Sequence, residues 1–143
     1  MKKKILCLFL AIVLILGNGT ILVFANDGGG EGESISPYAT GLVGFTTRRI
    51  SDTKAAASVD VEFTSTPDEF TITLTLQKKS GSSWVTATDV TNYQVRYRGT
   101  NRDGYQTYDE WTVKKGVVYR IKCVSTDKYS GISYTSTTYS DPF

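Results

Sequence analysis

The sequence predicts an all-β domain built as an antiparallel β-sandwich of seven or eight strands, with a small barrel as the alternative. Three observations lead there. From Gly41 onward, apolar and polar residues alternate with a period of two, the repeat of a strand buried on one face. Turn residues interrupt that alternation every 8–12 residues or so, the spacing of a sandwich. No stretch of the same region carries the apolar stripe of a helix.

The elements follow in order. A first strand is expected near 43–50. Ala55, Ala57, Val59, Val61 and Phe63 then alternate with Ser58, Asp60, Glu62 and Thr64, giving a strand near 55–64. Phe70, Ile72, Leu74 and Leu76 alternate with Thr71, Thr73, Thr75 and Gln77 near 69–79, and β-branched threonine suits the outward side of a pleated sheet. Ser80-Gly81-Ser82-Ser83 turns the chain into a strand near 84–89. Tyr93, Val95 and Tyr97 mark one near 93–99, and Asn101-Arg102-Asp103-Gly104 is a turn in which Asp caps backbone and Gly takes positive φ. Strands near 105–113 and 117–126 flank Lys114-Lys115-Gly116. A turn over Asp127 to Gly131 leads to the last strand, near 131–140.

Residues 1–25 read as a secretory signal peptide. Lys2, Lys3 and Lys4 form a positive start, Ile5 to Leu16 is apolar, and Val23 and Ala25 stand three and one residues before the expected cut. Residues 5–25 are nearly long enough to span a bilayer, but Gly17, Asn18, Gly19 and Thr20 interrupt them, so cleavage is expected rather than a retained anchor. The protein is therefore expected outside the cell, with no transmembrane segment after cleavage. Residues 26–38 form an acidic, Gly-rich arm with almost nothing to bury, expected to be disordered. The sandwich domain occupies 39–143.

Removing the leader changes the charge. Three of the 16 Lys and Arg leave with it, so 13 remain against 14 acids, a net charge of −1. A near-neutral chain has no overall electrostatic reason to seek nucleic acid. One of the two cysteines, Cys7, leaves as well, and Cys123 alone forms no intramolecular disulfide. Its alternation with Val117, Tyr119 and Ile121 predicts a buried, inert thiol.

The segment from Trp111 to Ser140 resembles the last part of a fibronectin type III or other immunoglobulin-like domain. An apolar residue, a short turn with Gly and then a Tyr form a tyrosine corner in those folds. The resemblance puts Trp111, Gly116 and Tyr119 in those places and implies that the Tyr119 hydroxyl bonds backbone in the crossing turn. Asn92 to Arg98 also resembles one of their strands. The whole chain is similar to small exported β-sandwich proteins of Gram-positive bacteria, through the leader, the acidic arm, Leu76-Gln77-Lys78 with Trp84, and Lys115-Gly116 with Tyr119. That likeness implies an immunoglobulin-like sandwich and brings no activity with it.

The chain has no His, which removes Ser-His-Asp and Cys-His catalysis in their usual forms and the common zinc sites. No Gly-rich loop opens a helix, so no nucleotide site is expected, and neither cofactor nor metal is. Asp109 and Glu110 are adjacent in a strand and point to opposite faces. Asp68 and Glu69 sit at a turn. Exposed aromatics at Tyr108, Tyr129 and Tyr139 are the candidate binding residues. The function expected is a secreted, non-catalytic binding or structural module whose partner is left open among cell envelope, glycan and protein. A secreted effector (bacteriocin or inhibitor) and a carboxylate-dependent glycan hydrolase are the alternatives.

Overall fold

The computed structural model describes residues 40–143, so the expected leader, its signal helix and the arm lie outside the described residues. Eight strands follow in chain order: β1 (Thr40–Ser51), β2 (Lys54–Phe63), β3 (Glu69–Ser80), β4 (Ser83–Thr86), β5 (Gln94–Gly99), β6 (Gly104–Thr112), β7 (Tyr119–Tyr129) and β8 (Ile132–Tyr139). They form two antiparallel sheets, the two layers of an immunoglobulin-like sandwich. The smaller sheet runs β1-β2-β6. The larger runs β4-β3-β7-β8, with β5 also on β3.

Strands β4 and β5 share one edge of β3. β4 pairs with Gln77 to Ser80, and β5 pairs with Phe70 to Thr75. Between them the chain makes an excursion that leaves the edge and returns. The Leu76 carbonyl accepts the Ala87 N–H at 3.0 Å, and the Leu76 N–H donates to the Tyr93 carbonyl at 2.7 Å. Ala87 and Val90 are buried there. Eight strands thus fill seven positions.

The core lies where the two inner faces meet. Val59 and Val61 of β2, Ile72, Leu74 and Leu76 of β3, and Ile121 of β7 are fully buried, each worth about 1.5–3 kcal/mol of transfer free energy. Ala55 stands beside Trp111 in the β2–β6 register, a small residue next to the largest one.

Strand β7 differs from expectation. It starts at Tyr119 and runs to Tyr129, past the turn expected to begin at Asp127. Asp127 is buried on the inner face, where its carboxylate accepts Thr40 Oγ1 at 2.6 Å and Ser125 Oγ at 2.5 Å. Two hydroxyls supply what solvent would, so an acid fits an inward strand position. The turn shrinks to Ser130-Gly131, with φ of 49° and 85°, the doubly positive pattern of a type I′ hairpin.

Gly99 ends β5 beneath an aromatic ring. A Cβ built there would lie 2.4 Å from the ring of Phe70, which is itself buried in the core. Gly99→Ala should therefore destabilise the fold by about 1–3 kcal/mol, through overpacking, and lower the urea unfolding midpoint accordingly.

Candidate functional site

The connection from β6 to β7 brings Trp111, Gly116 and Tyr119 together. Trp111 is 1% exposed, Gly116 has φ of 72°, and Tyr119 is fully buried. The Tyr119 hydroxyl accepts the Lys114 N–H at 3.0 Å, five residues upstream, the geometry of a tyrosine corner. Arg49 of β1 clamps the same turn. Its guanidinium donates to the Val117 carbonyl at 2.5 Å and the Lys114 carbonyl at 3.2 Å, and lies 5.7 Å from the centroid of the Tyr119 ring. The Trp111 indole N–H is buried with no partner among the described residues, a cost of about 1–3 kcal/mol set against burial of the largest side chain. This region holds the sheets together.

The three candidate aromatics separate. Tyr129 is corrected from exposed to buried, at 8% exposure. Its side chain takes the next inward position after Asp127, its hydroxyl donates to the Ser65 carbonyl at 3.0 Å, and its ring lies 6.0 Å from that of Tyr134. Tyr108 is 56% exposed on the outside of the smaller sheet. There its hydroxyl donates to Glu110 at 3.2 Å, and Glu110 pairs with Lys54 at 2.5 Å. Tyr139, 42% exposed, stands on the outside of the larger sheet.

Around Tyr139 the outer face of the larger sheet has a distinct chemistry. The Arg120 guanidinium is sandwiched 4.0 Å from the Tyr139 centroid and 4.5 Å from the Trp84 centroid. Arg120 Nε also donates to Gln77 Oε1 at 2.8 Å, and Lys79 Nζ lies 5.0 Å from the same Trp84 ring. Such stacks hold a cation by ring quadrupoles while leaving its charge in place. Partial burial draws the guanidinium down from its ordinary value, opposed by Tyr139.

Directly paired residues share a face, so strand register lays out the rest. Outward on β3 stand Thr71, Thr73 and Thr75. Arg98 and Arg96 flank the first two from β5, and Lys122 flanks the third from β7. Thr135 and Thr137 continue the hydroxyl surface onto β8. The face carries six cations, Lys79, Arg96, Arg98, Arg120, Lys122 and Lys128, against one carboxylate, Glu69. Glu69 is already paired with Lys128 at 3.5 Å.

The other acids lie elsewhere. Asp109 points inward, accepting the Tyr97 hydroxyl at 2.5 Å and Thr107 Oγ1 at 3.0 Å, while Glu110 points outward. Asp68 accepts the Ser130 N–H at 2.6 Å. Asp89 bridges Lys114 at 2.5 Å and Lys78 at 2.7 Å, and these bonds, Lys114 first, hold its carboxyl well below the usual range. Asp60, Glu62 and Asp103 line an open concavity of about 580 Å³. Among the described residues no group of three or more His, Cys, Asp or Glu is placed to hold a metal ion. Cys123 is buried, and desolvation, helped by Asp127, pushes its thiol up to about 12.

Comparison with family models, curated proteins and solved structures finds no match to this chain. The site therefore rests on its own geometry. Reasoning from sequence singled out Tyr139 but missed Arg120, Trp84 and the cations around them. Their signal was present as outward positions of three separate strands; strand order is what brings them side by side.

Two outcomes are expected. Tyr119→Phe removes a buried hydroxyl that accepts a part-buried N–H and should cost about 1 kcal/mol or more, read as a lower urea midpoint. Stability should also fall in alkali. Burial first, then Asp109, raises the Tyr97 hydroxyl from its ordinary 10.0, and burial raises Cys123 from 9.0. The folded state keeps these protons after the unfolded chain has lost them, so their contribution is complete below pH 9 and is lost as pH rises beyond it. Tyr97→Phe and Cys123→Ala should each flatten that decline in unfolding midpoints measured from pH 8 to 11.

Proposed function

We propose that this chain is an exported, non-catalytic binding module of the fibronectin type III kind, working outside the cell on an envelope component through the outer face of its larger sheet. The observation that carries the proposal is the Lys79–Trp84–Arg120–Tyr139 stack on a face with six cations and one carboxylate. A stacked Arg with fixed neighbours is preorganised, so binding orders few further side chains. Its surroundings are hydroxyls and three cations, Arg96, Arg98 and Lys122, that make no ion pair among the described residues, groups that recognise ligands without transforming them. The engagement of Asp109 by Tyr97 and Thr107 weighs against a carboxylate hydrolase. The leader at 1–25 supports action outside the cell.

The test is retention of the exported protein on purified cell envelope in a sedimentation assay. Thr137→Trp adds bulk at an exposed position of the face, without changing charge, and should abolish retention. Tyr108→Ala, on the opposite face, should leave it intact. Retention lost with Tyr108→Ala and kept with Thr137→Trp would overturn the assignment of the face.

A further inference from the structure

Building on that assignment, we infer that the ligand of this face is a linear sugar or polyol polymer carrying one carboxylate or phosphate per repeat, lying along β3. The register of the sheet is the reason. Each outward residue of β3 defines a row across the face, and every row holds one cation. Lys128 stands beside Glu69, Arg98 beside Thr71, Arg96 beside Thr73, Lys122 beside Thr75 and Arg120 beside Gln77; Lys79 ends the series on β3 itself. Rows two residues apart are separated by about 6.7 Å along the strand. A chain following β3 thus passes a cation in each row: Lys128 of β7, paired with Glu69, then Arg98 and Arg96 of β5, then Lys122 and Arg120 of β7, and last Lys79.

The floor beneath that path suits sugar hydroxyls. Thr71 and Thr73 are half-buried, and Thr135 and Thr137 are exposed beside them across β7. Among the described residues Arg96, Arg98 and Lys122 make no ion pair, whereas Lys54 on the smaller sheet pairs with Glu110 and Lys115 at a turn pairs with Asp52. The net charge of −1 after leader removal does not oppose binding, because the field that an approaching polymer meets is that of this face.

Two other polyanions fit less well. Single-stranded nucleic acid needs free ring faces on which bases stack, and Trp84 and Tyr139 hold Arg120 between them. An anionic membrane is gripped by apolar side chains that insert below the headgroups. Among the described residues this face offers only two outward aliphatic side chains, Val124, half-buried within β7, and Val118, exposed just before it.

The experiment measures binding of the exported protein to polygalacturonate, to poly(glycerol phosphate) and to neutral dextran at low and moderate salt. An oligothymidylate and phosphatidylglycerol vesicles complete the set. Binding is expected to at least one of the two anionic polymers and to weaken with salt, with dextran not bound. The Arg96→Gln/Lys122→Gln double variant, both positions on the outer surface, should bind about tenfold more weakly, with a shallower salt dependence. Absence of binding to both anionic polymers, or binding of dextran equal to theirs, would overturn the inference. Tighter binding of the oligonucleotide or the vesicles than of both polymers would overturn it in favour of that class. If both polymers fail while Thr137→Trp still abolishes envelope retention, the anionic ligand is wrong and the face stands. If Thr137→Trp leaves retention unchanged, the face itself is wrong.

Discussion

The Tyr119 hydroxyl sits inside the sandwich and accepts the Lys114 N–H, so the first residue of β7 in one sheet holds the chain leaving β6 in the other. Two apolar faces alone can slide against each other, because hydrophobic burial has no direction. Cys123 is the single thiol of the described residues, so no disulfide fixes the offset. Polar ties do so around the rim. Arg49 adds β1 to the corner, Tyr97 reaches Asp109 between β5 and β6, and Thr40 reaches Asp127 between β1 and β7. Each bond joins groups that burial would otherwise leave unsatisfied, which makes a wrong offset costly.

These ties account for the charge on the larger sheet. Asp109 and Asp127 are spent between the sheets, Asp89 on Lys78 and Lys114 beside the corner, and Asp68 on the β7–β8 turn. Acids gather in the interior ties, the turns and the smaller sheet. The outer face of the larger sheet is left with Glu69 alone. A chain that is close to neutral overall thus separates its charge, and one surface becomes positive while the acids lie elsewhere, several of them in ties that hold the fold together.

The strands were legible because alternation is a local property. All eight expected strands are present, and the inward positions of β2 and β3 match their apolar residues. The end of β7 was not legible, since Asp127 reads as a turn residue until Thr40, 87 positions away in sequence, is known to face it. Tyr129 was misread for the same reason: its exposure depends on where β7 stops. The proposed binding face was invisible in a further sense. Arg96, Thr73, Val124 and Thr137 make one row across four strands, and no local pattern states that β5, β3, β7 and β8 are neighbours in that order.

Stability alone does not explain that face. The outside of the smaller sheet offers a contrast at one end, where Lys54 is paired with Glu110 and Tyr108 also bonds Glu110. On the larger sheet the cations are instead kept apart by placement. No two are direct cross-strand partners; Arg96 and Arg98 face Thr73 and Thr71, Lys122 lies between Thr75 and Tyr139, and Arg120 faces Gln77. Like charges directly opposite would destabilise the sheet, and one cation per row avoids the worst of that repulsion without supplying a counter-charge. Thr135 and Thr137 are exposed outward positions free of core packing, so acids could have occupied them at little cost. A regular series of uncompensated cations on a hydroxyl floor is the arrangement expected when the counter-charges arrive with a ligand.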